Sequence, residues 1–303
     1  MALVRTGRAL LCSTLVLITA PLHAQVSAGE RLARHDQLIA ADRAAADTAV
    51  ALGLSEALAR SAGPELVVVY PGAPVVAGLD AARQLLAAQP ALGGINLRWV
   101  PLFAEVSSDG SFGVSYGVTG IASSAGPPGG PLRFGKYISA WRRVGDGWKM
   151  VAHVEVGLLP AAVYEAPPGS TAPPLPALPG SGPVAEFARA DAQFAVLAGK
   201  QGAAPAFAAF AAKDAVTFPG TGELARGPEA IRRWLAGDES AWSWRPVAGG
   251  GAASGDLGFT VGESVITAKG ESPSYGKYLT LWRREPGGAI RFIADGGNAR
   301  PAP

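Results

Sequence analysis

The segment Phe134-Gly135-Lys136-Tyr137-Ile138-Ser139-Ala140-Trp141-Arg142-Arg143 returns almost unchanged as Tyr275-Gly276-Lys277-Tyr278-Leu279-Thr280-Leu281-Trp282-Arg283-Arg284. The two are separated by far more than the roughly 20–50 residues of a solenoid unit, so a whole domain has been written twice. Other matches keep the same order. Trp99-Val100-Pro101 answers Trp244-Arg245-Pro246, and Gly113 and Gly117 answer Gly258 and Gly262. Pro71-Gly72 followed by Gly78 answers Pro219-Gly220 followed by Gly227, and Asp42 answers Asp191, each in an alanine-rich helical run.

The length of 303 residues suits two domains of ordinary size. With 49% hydrophobic and 17% charged residues, each copy can bury a core. The net charge of +2 leaves no basic stripe, which argues against a nucleic-acid partner. Arg5 and Arg8, the apolar run Ala9 to Thr19, and Leu22-His23-Ala24 together read as an export signal over 1–24, cleaved after Ala24. A periplasmic or secreted protein follows, with no membrane attachment after cleavage, since the run is too short to span a bilayer. The only cysteine, Cys12, lies in that segment, so disulfide and thiol chemistry are not expected. The Pro- and Gly-rich stretch 166–183 reads as an extended linker between copy one, 25–165, and copy two, 184–303.

Each copy reads as helices first and strands after. A long helix spans Glu30 to about Gly53, or Val184 to about Gly199, and a shorter one spans Leu54 to Ala59, or Ala203 to Ala212. An apolar strand then ends at Pro-Gly, and a third helix covers Leu79 to Ala88, or Pro228 to Ala236. A meander of strands completes each copy, and Gly249-Gly250-Gly251 reads as a flexible turn. This is an α+β pattern.

That order, carried by Ser254 to Gly262, Tyr275 to Arg284 and Phe292 to Asn298 in copy two, resembles the nuclear transport factor 2-like superfamily. In copy one it is carried by Ala41-Asp42-Arg43, Val69-Tyr70-Pro71-Gly72, Lys136 to Arg143 and Gly147 to His153. The likeness is to the SnoaL-like and ketosteroid-isomerase-like branch, closest to the bacterial domain of unknown function 4440 group. It implies two tandem cone-shaped domains, each a curved antiparallel sheet wrapped around about three N-terminal helices and leaving an apolar pocket at the open end. Members commonly dimerise through their sheets, so the two copies are expected to pack as an internal pseudo-dimer. The superfamily hosts both enzymes and binders, so the resemblance does not choose an activity.

Strand alternation puts Tyr278, Thr280 and Trp282 on one face of the repeated motif, and Lys277, Leu279, Leu281 and Arg283 on the other. With Tyr137, Trp141, Trp99 and Trp244, the aromatic face is a candidate pocket wall or a packing surface. The Trp-Arg-Arg end reads as a solvated strand end. Asp42 and Asp191 are candidates either for a proton-taking base or for an acid that ties the helix to a neighbouring strand. His153 and Asp295 answer each other near the end of the last strand and are candidate pocket acid/base groups. Dinucleotide, P-loop and nucleophile-elbow motifs are absent from the sequence, and no metal-ligand spacing occurs, so neither cofactor nor metal is expected. The leading reading is an exported binder of a small apolar or aromatic molecule. The alternatives are a cofactor-free isomerase, cyclase or dehydratase using a pocket carboxylate or His153, and a protein-interaction module.

Overall fold

The computed structural model describes residues 25–88, 95–123, 133–156, 185–219 and 224–303. The expected signal segment and linker lie outside the described residues. In the first domain α1 (Ala28–Leu52), α2 (Leu54–Ser61), β1 (Ala62–Val69), β2 (Val76–Ala77) and α3 (Leu79–Ala88) precede β3 (Ile95–Val106), β4 (Phe112–Ser123), β5 (Arg133–Val144) and β6 (Gly147–Val156). The second domain repeats this as α4 (Ala185–Gln201), α5 (Ala203–Phe210), β7 (Ala211–Thr217), β8 (Ala225–Arg226), α6 (Gly227–Trp234), β9 (Ala241–Gly251), β10 (Leu257–Thr267), β11 (Ser274–Arg284) and β12 (Ile290–Ala299).

The helix boundaries follow local chemistry. Ser27 Oγ accepts from the Glu30 amide, and the Glu30 carboxylate accepts from the Ser27 amide, closing a capping box at the start of α1. Gly53 and Gly202 stop α1 and α4 at φ of 88° and 86°, conformations open to glycine but strained for other residues. Each then starts the short second helix without a spacer.

Both sheets have six strands in the same order, β2-β1-β6-β5-β4-β3 and β8-β7-β12-β11-β10-β9. The α+β expectation holds, with one correction. The sheets are mixed, because β1 runs parallel to β6 and β7 parallel to β12. A helical crossover separates each first strand from the meander, so the last strand can return beside it in the same direction. A second correction concerns Gly249-Gly250-Gly251, which is no turn but the end of β9, paired with Gly258 to Thr260. A Cβ at Gly250 would press on the Phe259 ring at 2.9 Å, and one at Gly251 on the Leu257 carbonyl at 2.5 Å. Close approach, not flexibility, calls for glycine there.

The inner face of each sheet holds its helices. Gly113 and Gly258 mark where the first helix comes closest: a Cβ there would collide with Leu38 and Phe187 respectively. The outer faces meet each other. Val114, Ile138 and Ala140 belong to one continuous apolar cluster with Phe259, Val261, Leu279 and Leu281, and Phe112 stacks on Phe259 at 6.1 Å. Polar groups frame that seam. Ser108 N donates to Asp256 Oδ2 at 2.7 Å, and Ser254 N donates to Asp109 Oδ2 at 2.9 Å, a reciprocal exchange between the two β-turns. Lys136 Nζ crosses to the Pro219 carbonyl at 2.6 Å. Asn298 Nδ2 crosses back to the carbonyls of Val69 and Glu155 at 2.8 and 2.6 Å.

The Trp-Arg-Arg end of the motif keeps solvent exposure in the first domain, as expected, where Arg142 and Arg143 are partly exposed, but not in the second. Arg283 and Arg284 are buried. Arg283 forks onto Asp214 at 2.6 and 3.1 Å, reaches Glu285 at 3.0 Å, and meets Glu105 of the first domain at 3.2 Å. The strand end runs under the seam, and the charge is tolerated because carboxylates surround it. Desolvation nevertheless pushes the Glu105 carboxyl up to about 7, against the pull of Arg283. The folded state therefore keeps a proton that the unfolded chain has lost above the ordinary range near 4.5. That contribution to stability is full at low pH and fades as pH rises from about 4.5 through about 7. Thermal melts are expected to show Tm falling from pH 5 to pH 8, with a shallower slope in Glu105→Gln; an unchanged slope in the variant would reject this assignment.

Candidate functional site

The two helix carboxylates are bonded alike. Asp42, fully buried, accepts from Trp99 Nε1 and from the Tyr137 hydroxyl, both at 2.7 Å. Asp191 accepts from Trp244 Nε1 at 2.8 Å and from the Tyr278 hydroxyl at 2.9 Å. Each acid thus joins the first helix of its domain to the third and fifth strands. Burial raises both carboxyl pKa values, while the phenol and indole donors pull them back. The tyrosine rings fit because the facing residues are Gly117 and Gly262, where a Cβ would strike the ring.

The next layer differs between copies. In the first domain Ser139 Oγ and His153 Nδ1 share a hydrogen bond at 2.8 Å, and His153 Nε2 meets Glu155 Oε1 at 3.1 Å. The imidazole thus bridges the serine hydroxyl and the Glu155 carboxyl, one ring nitrogen to each. The imidazole also stacks on Tyr137 with centroids 5.9 Å apart, and all three polar residues are buried. In the second domain Thr280 Oγ1 donates to Asp295 Oδ2 at 2.5 Å in the same place. Gly297 stands where Glu155 does, and Phe218 where Tyr70 does.

Those replacements accompany a cavity of about 350 Å³ in the second cone. Phe194 of α4, Phe207 of α5 and Trp234 of α6 line it, together with Trp242 and Trp244 of β9 and Tyr275 and Tyr278 of β11. Asp295 lines it too and keeps partial exposure, with its carboxyl pushed up to about 7 mainly by desolvation. Val156 of the first domain closes one side. Strand β9 alternates strictly between exposed and partly buried positions, so Trp242 and Trp244 turn inward together.

The candidate residues therefore separate. Tyr278, Trp244 and Asp295 come together on the cavity wall, with Asp191 behind the first two and Thr280 behind Asp295. Trp99 and Tyr137 are buried around Asp42 and His153 in the first cone. Trp141 and Trp282 do not line this cavity. Both are fully buried near the closed end, where their Nε1 groups donate to Ser115 Oγ at 2.9 Å and Thr260 Oγ1 at 2.7 Å. They share a strand face with the tyrosines but sit about a turn of pleat nearer the hairpin, away from the mouth.

Sequence reasoning missed Glu155, Trp242, Tyr275 and the helix phenylalanines. The first two carry a signal: His153-x-Glu155 and Trp242-x-Trp244 are same-face pairs on a strand. Among the described residues no three His, Cys, Asp or Glu side chains gather as a metal site.

No protein-family model matches the chain, and no curated relative does. Solved structures do. A ketosteroid isomerase-like protein from Erwinia carotovora atroseptica matches at 20% identity over 39% of this chain and 96% of its own, with a TM-score of 0.33. An NTF2-like protein with a cystatin-like fold from Novosphingobium aromaticivorans matches at 21% identity over 38% of this chain and 79% of its own, with a TM-score of 0.30. A putative scytalone dehydratase from Novosphingobium aromaticivorans matches at 14% identity over 43% of this chain and 87% of its own, with a TM-score of 0.35.

The carboxylate ties make a clear demand on stability. Asp42→Leu and Asp191→Leu each strand an indole N–H and a phenol O–H away from water, at a cost of roughly 2–4 kcal/mol. Tyr137→Phe and Tyr278→Phe remove one donor from a carboxylate that keeps another, and are expected to cost about 1–2 kcal/mol. Urea unfolding measures both; leucine variants as stable as the parent would show that the acids do not hold helix to sheet.

Proposed function

We propose that the protein is an exported carrier or receptor for a small apolar or aromatic molecule, held in the cavity of the second cone. The observation that supports this is the cavity itself. It is large enough for a small ligand, walled by indole, phenol and phenyl rings, and has a single aspartate on its wall to orient a polar end. The two domains act as an internal pseudo-dimer in this reading. The support is the seam in which the first domain contributes Val156 to the cavity and Asn298 ties both sheets together. Export rests on the basic, apolar and small-residue pattern of residues 1–24.

Native mass spectrometry of the chain purified from its own cell envelope tests the binding reading. The expected result is a retained small molecule that leaves on denaturation and fails to bind when Ser264→Phe fills the cavity. A protein that is empty, and that shows no tryptophan fluorescence change across an aromatic compound panel, would reject it.

Asp295 favours a second reading, a cofactor-free isomerase or dehydratase. A carboxyl on the cavity wall with a pKa near 7 can take and return a proton at neutral pH. Once a turned-over compound is identified, Asp295→Asn should lower kcat by a factor of about 100 or more while KM changes little. The rate of the unsubstituted chain should rise with pH through about 7, as the Asp295 carboxyl becomes the base. Unchanged kcat in the asparagine variant would exclude Asp295 as that base. The interaction-module reading needs filled cones and an exposed apolar sheet face. The described outer faces are instead buried against each other, and the second cone is open.

A further inference from the structure

We infer that the occupant of the second cone is a hydrophobic organic cation, of the aryl-alkyl ammonium class. The inference rests on the binding reading above and adds the sign of the ligand's charge.

Asp295 lines the cavity and Asp191 stands behind its aromatic wall, and neither has a basic partner among the described residues. Asp295 is hydrogen-bonded to the Thr280 hydroxyl, and Asp191 to the Trp244 indole and the Tyr278 phenol. Among the described residues neither is ion-paired. They are close enough for Asp191 to raise Asp295 further by repulsion. The two cations nearest the mouth are committed elsewhere. Lys277 also lines the cavity, but its Nζ is engaged, donating to Asn298 Oδ1 and, at 2.8 Å, to the Ala299 carbonyl. Arg300 donates to the Gly276 carbonyl at 3.2 Å and lies over the Tyr275 ring, 5.1 Å from its centroid.

That last contact shows what the wall accepts. Tyr275 is the outer ring of the cavity and already receives a guanidinium on its face. Trp234, Trp242, Trp244 and Tyr278 continue the wall inward, and among the described residues no cation lies over their faces. Ring faces are electron-rich, and indole is the best of the aromatic side chains for holding a cation. A neutral apolar occupant would drive water from the Asp295 carboxylate and return nothing. An anionic occupant would bring its charge beside two carboxyl groups that have no ion-pair partner. An ammonium group answers both the rings and the acids, and its hydrocarbon part fills the remaining apolar volume.

The test compares benzyltrimethylammonium with its uncharged isostere neopentylbenzene. Tryptophan fluorescence of the full chain is followed at pH 8, above the range in which Asp295 takes a proton. The expected result is binding of the cation on the order of tenfold or more tighter than of the isostere, as cation–ring and carboxylate contacts require. Asp295→Asn should narrow the gap by about threefold or more, with the rings and Asp191 still in place. Equal binding of the two probes, or tighter binding of the hydrocarbon, overturns the charge inference and leaves the cavity a binding site. Binding of neither overturns the charge inference and leaves the binding reading to the panel described above. The comparison in the unsubstituted chain decides by itself should the variant not fold.

Discussion

Each domain depends on one buried carboxylate that accepts from one indole and one phenol. Asp42 with Trp99 and Tyr137, and Asp191 with Trp244 and Tyr278, connect three elements that are far apart in the chain. A lone carboxylate in such a place would be strongly disfavoured, and an indole or phenol would lose its partner. Together they satisfy one another and set the depth at which the first helix lies in its sheet. Everything inward of that depth is packed core, as the burial of Trp141 and Trp282 shows. Outward of it, the second cone holds a cavity, while the first is filled by Tyr70, His153 and Glu155.

The repeated motif is intelligible on this frame, residue by residue. Its tyrosine bonds the helix acid, and its Ser or Thr bonds the titratable group on the last strand. Its tryptophan bonds a hydroxyl on the neighbouring strand. On the alternate positions buried Lys136 and Lys277 are pushed down to about 8, mainly by desolvation; Lys136 donates to the Pro219 carbonyl of the other copy and Lys277 to the Ala299 carbonyl of its own. A single strand thus serves an inner polar layer and an outer seam. Neither face could change without disturbing its partners, which is a physical reason for the two copies to remain alike there.

The mouths of the cones carry no such double constraint, and there the copies part. His153 with Glu155 and Tyr70 makes a packed polar cluster in the first domain. Asp295 with Gly297 and Phe218 leaves open volume in the second. Removing a glutamate side chain and a phenol hydroxyl at equivalent positions strips polar bulk from the cone. The aromatic residues of α4, α5 and β9 then line the space.

The sequence by itself determined the duplication, the α+β class, the helices of each copy and the two faces of the Tyr-x-Ser/Thr-x-Trp strand. These follow from local spacing: a period of two for strands, a period near 3.6 for helices, and glycine where φ turns positive. It also paired Asp42 with Asp191 and His153 with Asp295, because equivalent positions in a repeat need no coordinates to be matched. Tertiary structure alone decided which aromatic residues meet a ligand. Tyr278 and Trp282 are indistinguishable by alternation, yet one lines the cavity and the other is sealed beneath it. Depth along a strand depends on where the helices and the second sheet end, and no local pattern encodes that. The same holds for Arg283, polar in composition but buried between domains, and for the parallel pairing of β1 with β6. Burial and strand partner are set by segments a hundred residues away, so only the packed chain assigns them.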